Sequence, residues 1–455
     1  MSDAEAPRPR SPGRPAALYA RLRQAGRSVE GRRSVWSTTG LVGSSLAAAA
    51  TVMIAARQLG TARYGLYAGI GALVNLAAMF GAMGTKDILL QRVTRDRAAL
   101  PGAWGVLLAA NFLVGVPLLG LTIGGAALLL PGRDLGAIAL IATAEYLSAG
   151  LVKGPANAWV ALDRFPLVAA VNIYDAVLRL AAALTLVLGA PTVRQLAVAL
   201  FLAMLAGSIS VNLALVPVAG RPTLRWSELV DGCRRGAAFS VATISGAVQS
   251  NIDQFMLVRA RLDVDAGLYA AGVRFVGYGM LPLHALVSAA VPEFHRVGAD
   301  GVGAGLDYGR RLVRPIVALS LVGAAVSVAV SAPLGALFGD RFDGVVVVAA
   351  ALALFPLVRM LEVLVATALM GSGHQGFVAR CQTASAAGNV VANLVLIPSY
   401  GWAGAAVATY ASELANLAAL WWGAQRRRRL PAGRPTPPPP DQIGAADGIS
   451  PTARG

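Results

Sequence analysis

The chain has 455 residues, of which 56% are hydrophobic and 14% charged, with a mean hydropathy of +0.62. Soluble globular chains carry about 25% charged residues, so the composition argues against a soluble domain and for a surface solvated by lipid. A formal charge of +16 suits nucleic acid unless the basic residues mark one side of a membrane, while two cysteines and three scattered histidines argue against a disulfide framework and a metal site.

Residues 1–35 are basic and Pro-containing and lack a signal-peptide pattern. A cytoplasmic tail is expected there, either with a short interfacial helix near 16–28 or without fixed structure. A bilayer core about 30 Å thick takes roughly 20 apolar residues of helix. Twelve stretches satisfy this: 36–56, 64–85, 103–130, 135–152, 165–189, 195–218, 236–258, 266–291, 312–333, 344–370, 375–398 and 401–424. The third is long enough to bend at Pro117, and the fourth is short and carries Glu145. Trp421 and Trp422 read as interfacial anchors ahead of the Arg426–Arg429 run, which faces anionic lipid. Beyond residue 425 the chain is basic and then Pro-rich, RPTPPPPD, the composition of a disordered tail.

Twelve spans put both termini on one side. With that side cytoplasmic, tails and inner loops hold 29 Lys and Arg, outer loops seven and the spans three. That bias follows the positive-inside rule and accounts for the charge without nucleic acid. Two phrases repeat at an offset of 202 residues: RQLGTARYGLYA from Arg57 and RARLDVDAGLYA from Arg259. Both follow the first span of a six-span set. The expected architecture is all-α and transmembrane, with two parallel-related six-helix lobes around a central cavity. The lobes are 36–218 and 236–424, joined by a cytoplasmic linker at 219–235, with tails 1–35 and 425–455. Gly65 and Gly267 are expected to make the entry turn of the second helix of each lobe, and Tyr67 and Tyr269 to anchor it at the outer surface.

RQLGTARYGLYA, NIDQFMLVRARLDVDAGLYAAGVR, FGDRFDG at 338–344, GSGHQG at 371–376 and NLVLIPSYGWAGAAVATYASE occur in that order along 36–424. Together they resemble the polysaccharide-transporter branch of the multidrug/oligosaccharidyl-lipid/polysaccharide exporter superfamily, the family of O-antigen flippases. The resemblance implies a fold like that of the multidrug and toxin extruders. It also implies flipping of a lipid-linked oligosaccharide across a bacterial inner membrane, with membrane lipids and other polysaccharide assembly proteins as partners.

Such a substrate carries a diphosphate, and a planar, permanently charged guanidinium suits it. Arg179, Arg274 and Arg359 lie inside spans and are the cavity candidates. Asp175 is four residues from Arg179 and Glu362 three from Arg359, so both arginines could instead be neutralised on their own helices. Arg274 has no acid within a turn. Five acids lie in spans: Glu145, Asp175, Asp253, Glu362 and Glu413. Asp253 is the leading candidate for coupling to Na⁺ or H⁺, with Asp175 and Glu362 behind it; the competing reading of Asp253 is a helix-to-helix hydrogen bond or ion pair. No other cofactor is expected. Asn75, Asn111, Gln249 and Asn251 are polar positions for glycan hydroxyls or interhelical bonds. His284, after Pro282, reads as a packed or pore-lining side chain. The chain lacks P-loop, Ser/His/Asp and HExxH patterns, so a transporter rather than an enzyme is expected. The alternatives are a cation-coupled exporter of amphipathic small molecules, kept alive by the acid excess, and a membrane polymerase or ligase of glycan assembly.

Overall fold

The computed structural model describes residues 29–81, 84–338, 342 and 344–428, and among these the chain is helical with no strand. The 16–28 segment, the Pro-rich tail and most of FGDRFDG lie outside the described residues. A 53-residue helix stands at each end. α1 (Val29–Gly81) is broken at Gly60, with a φ of 74° that glycine adopts without steric cost. At the other end, α14 (Gln375–Arg427) is broken at Gly401, with a φ of 55°. At 1.5 Å per residue each is roughly twice as long as a bilayer is thick, so each supplies two spans.

Between them lie α2 (Thr85–Arg95), α3 (Leu100–Leu113), α4 (Gly115–Leu129), α5 (Leu135–Leu147) and α6 (Lys153–Ala161). There follow α7 (Phe165–Leu184), α8 (Val193–Ala219), α9 (Trp226–Arg259), α10 (Asp263–Gly298), α11 (Val302–Phe338), α12 (Val345–Leu352) and α13 (Phe355–Gly371). The pairs α3–α4, α5–α6 and α12–α13 each make a single apolar span; with α1 and α14 counted twice the apolar spans are eleven, and the less apolar 34-residue α9 takes the place of the twelfth expected. The third span breaks at Val114, one turn before Pro117. Pro117 has no N–H to donate to the Leu113 carbonyl.

Three expectations change. The fourth span runs to Ala161 rather than 152, because a π turn at Ser148–Val152 joins α5 to α6. Lys153, expected in an inner loop, therefore lies inside a helix. The segment read as linker contains Gly220, whose positive φ ends α8, and then the first turns of α9. Gly65 and Gly267 do not make turns; the left-handed residues at the two corners are Gly60 and Arg261.

The two glycines instead let the lobes approach each other closely. A Cβ at Gly65 would collide with the Asp263 carbonyl oxygen and lie 2.5 Å from the Gly267 nitrogen. A Cβ at Gly267 would collide with the Thr61 carbonyl oxygen. Positions 61 and 263 are equivalent in the repeat, as are 65 and 267, so the contact is reciprocal about a pseudo-twofold axis. Small residues allow such close backbone approach between membrane helices. Ala55, Ala56, Ala270 and Ala271 extend the contact as one buried cluster. The equivalent positions 63 and 265 each fasten the last corner of their own lobe: Arg63 donates to the Pro191 carbonyl at 2.8 Å, and Asp265 accepts from the Trp402 amide at 3.1 Å.

Glycines also set the crossing of α10 and α13, where a Cβ at Gly371 would lie 2.5 Å from the Phe294 carbonyl oxygen. Gly371→Ala is expected to destabilise the purified protein by about 1–3 kcal/mol through overpacking, read as a lower thermal midpoint in detergent. Gly71→Ala, with nothing within 4 Å of the added carbon, should leave the midpoint unchanged or slightly higher.

Candidate functional site

The first lobe buries a charged cluster on α5, α6 and α7. Arg179 pairs with both oxygens of Glu145, at 2.5 and 2.9 Å, and with Asp175 at 3.3 Å. Ser148 accepts from Arg179 at 2.9 Å and donates to Asp175 at 2.6 Å. Lys153, half-exposed, reaches Asp175 at 3.1 Å. The π turn widens the helix between Ser148 and Lys153 and lets both side chains address Asp175; π turns recur at functional positions. Two cations face two carboxylates, so the cluster is neutral.

The second lobe has a counterpart built differently. Arg359 on α13 contacts Glu362 at 2.7 Å and Glu413 of α14 at 3.0 Å. Asn416 donates to Glu362 at 2.9 Å. Both carboxyls are almost wholly buried. Arg179 and Arg359 are thus occupied, as the helical spacings allowed. Glu145 and Glu413, their partners from other helices, were not assignable from spacing. Asp175 and Glu362 are likewise occupied by basic side chains.

Asp253 is different. It is 5% exposed and makes no ion pair among the described residues. It accepts hydrogen bonds from the Tyr269 hydroxyl at 2.6 Å and the Gln254 amide at 2.8 Å. Tyr269 is therefore buried and committed to Asp253, and does not anchor the helix at a membrane surface. Around it runs a chain of neutral polar groups. Gln249 donates to Ser385, and Ser385 donates to the Ser412 carbonyl. Asn389 donates to the Ser412 hydroxyl, Asn393 donates to Asn389, and Thr409 lies 3.4 Å from the Tyr269 hydroxyl. The Asn393 side-chain oxygen is buried without a partner. Asp253 thus stands, through Tyr269, at the head of a chain of neutral polar groups that holds one unsatisfied oxygen, and carboxylate and neutral oxygens are the ligand types that hard cations take.

Arg274 is exposed within the protein and makes no ion pair among the described residues. It borders a cavity of about 450 Å³ between α1, α10 and α11, walled by Val52, Met53, Phe275, Val322 and Val326. Arg274 lies seven residues past Gly267, about 10 Å deeper along α10. Tyr64 and Tyr278 lie within its electrostatic reach. Tyr67 lies within reach of Arg274 and also of Glu145 and Arg179, so the neutral cluster and the unmatched cation border one region. Tyr67 is half-buried there.

The remaining polar positions scatter. Gln249 joins the Asp253 chain, Asn75 is exposed, and Asn111 donates to the Leu107 carbonyl within its helix. His284 is exposed and lies within the field of Arg359. Trp421 and Trp422 are exposed, and the Arg426 guanidinium stacks 3.7 Å over the Trp422 ring.

The spans and the reciprocal contact define a multi-pass membrane protein of two six-helix lobes. Residues 31–297, more than half of the chain, match the family described as polysaccharide biosynthesis protein; the chain belongs to that family. It shares its fold with transporters of the MOP superfamily. Lipid II flippase MurJ in an inward closed conformation matches at TM-score 0.63 and 12% identity, over 86% of this chain and 87% of that one. An inward-facing multidrug resistance MATE family transporter matches at TM-score 0.59 and 15% identity, over 83% and 94%. A MOP superfamily transporter from Pyrococcus furiosus matches at 0.57 and 14%, over 89% and 97%. None of the curated proteins matches the chain in sequence.

Removing one partner of a buried ion pair strands the other and costs about 3–5 kcal/mol. Arg179→Ala and Arg359→Ala should therefore sharply lower the thermal midpoint of the purified protein. Arg274→Ala strands no acid and should not. A fall of equal size in all three would place Arg274 among the structural cations.

Proposed function

We propose that the protein moves a lipid-linked oligosaccharide, a polysaccharide repeat unit on a polyprenyl diphosphate, from the cytoplasmic to the outer leaflet of a bacterial inner membrane by alternating access. One observation carries the reading: Arg274, a cation without an ion-pair partner among the described residues, opens onto an apolar cavity between the lobes. Diphosphate calls for a guanidinium, and the polyprenyl chain calls for apolar walls beside it. Membership of a polysaccharide biosynthesis family supports the substrate class. No Asp or Glu lines the cavity among the described residues, which counts against the alternative of a cationic drug as its ligand. The excess of basic residues on the side of the termini supports a cytoplasmic position for both.

Ion coupling belongs to the second lobe. Asp253, Asn389, Asn393 and Thr409 would hold a Na⁺ ion, or Asp253 alone a proton. Bound there, the cation supplies a positive charge to an otherwise uncompensated carboxylate. Tyr269 orients that carboxylate from the helix that also carries Arg274, so a change at Asp253 has a direct path to the substrate helix. Proteins that build and extend the glycan are the expected partners.

Arg274→Ala should abolish glycan export at unchanged protein abundance, and lipid extracts of those cells should accumulate polyprenyl-diphosphate-linked oligosaccharide. An unchanged lipid pool with raised sensitivity to cationic compounds would favour the drug exporter. In proteoliposomes, Asp253→Asn should remove the acceleration of flipping by an imposed Na⁺ or proton gradient while substrate binding persists. Undiminished acceleration would take Asp253 out of coupling.

A further inference from the structure

We propose that the repeated phrase is the outer gate of the transporter. It forms a two-fold backbone seal, and latches of opposite chemistry close it on its two sides. This rests on the alternating-access reading above.

Four observations meet at the end of the molecule away from the termini. The first is the reciprocal contact of Gly65 on the Asp263 carbonyl and Gly267 on the Thr61 carbonyl. It brings two backbones together with no side chain between them. Such contacts are close but individually weak, so they can part and re-form without breaking a hydrogen-bond network. The second is an ionic latch. Arg133, in the corner between α4 and α5 of the first lobe, donates to Asp263 of the second at 2.7 Å, with both side chains mostly buried. In return, Arg261 of the second lobe donates to the Pro131 carbonyl of that corner. The third is an apolar latch from the other lobe. Phe342, in the corner between α11 and α12, is fully buried and meets the Tyr64 ring edge-on, with centroids 6.2 Å apart. The α4–α5 corner of the first lobe and Phe342 of the second thus each meet the start of the other lobe's second helix, one with charge and one with an aromatic ring. The fourth is position: the cavity with Arg274 lies directly beneath this seal, between α1 and α10, the two helices that form it.

Closed, the seal keeps the cavity from the outer side; to release a substrate outward, these contacts must part. The elements fastened within each lobe, Arg63 to Pro191 and Asp265 to Trp402, keep each corner with its own lobe during that movement. The gate therefore opens between the copies of the phrase and not within either.

The test reads gate position without requiring transport. The scaffold carries Cys233→Ser and Cys381→Ser, together with Ser327→Cys at a position that lines the cavity. A membrane-impermeant maleimide is then applied to right-side-out and inside-out vesicles. With the native gate, labelling should come chiefly from the side of the termini. Gly267→Leu, which cannot close against Thr61, should raise labelling from the opposite side at least about ten-fold by shifting the population to the open state. Gly71→Leu on the same scaffold should not. The latch gives a second measure that does not depend on correct assembly of the Gly267→Leu variant: Arg133→Asp should raise outer labelling about two- to five-fold, and adding Asp263→Arg should restore the native rate. Outer labelling unchanged by both Gly267→Leu and Arg133→Asp would overturn the gate. Absence of labelling at position 327 from either side in every variant would instead overturn alternating access itself.

Discussion

A guanidinium at the centre of a bilayer costs at least about 2.5–3.5 kcal/mol on insertion scales, and both lobes are built around that constraint. Arg179 is met by Glu145, Asp175 and Ser148, and Arg359 by Glu362 and Glu413. Each cluster ties together helices that are distant in sequence, so neutralising the charge also fixes the helix arrangement. Against this background an arginine left facing an apolar cavity stands out, and so does a buried carboxylate with only neutral neighbours. Arg274 and Asp253 are those two groups, and Tyr269 links their helices.

The two lobes share one pattern and differ at particular equivalent positions. Tyr67 and Tyr269 occupy equivalent places, yet Tyr269 binds Asp253 while Tyr67 faces the space between Arg179 and Arg274. The first-lobe equivalent of Asp253 is Thr51, whose hydroxyl donates to its own helix at Ala47. The equivalent of Arg274 is Ala72, buried. Equivalence survives at Gly65 and Gly267, where the halves touch. It is lost at the two positions that bear the unmatched charges.

The spans are legible because a membrane imposes a length and a polarity that hydropathy measures directly, and the repeat reveals the lobe relationship. What spacing can show of the charges it shows: Asp175 with Arg179 and Glu362 with Arg359 share helix faces. Glu145 and Glu413 come from other helices, and no local pattern encodes such a pairing. The glycines mislead for a related reason. A glycine that permits a turn and one that permits a close approach look alike in sequence; only the neighbouring backbone distinguishes Gly60 from Gly65. The π turn at Ser148–Val152, which makes the fourth span longer than expected and turns Lys153 toward Asp175, also has no signature in composition.

The reciprocal glycine contact has the form of an isologous interface, in which residue i of one partner touches j of the other and j touches i. Two subunits of a homodimer meet in this way. The lobes are therefore related as protomers fused by the short 220–225 connection, which makes their association intramolecular and independent of concentration. Fusion also lifts a symmetry restriction. In a homodimer every substitution appears twice, so an unpaired arginine would carry a second unpaired arginine with it. In one chain, Arg274 and Asp253 each occur once, and a two-fold scaffold can hold a site that has no symmetry of its own.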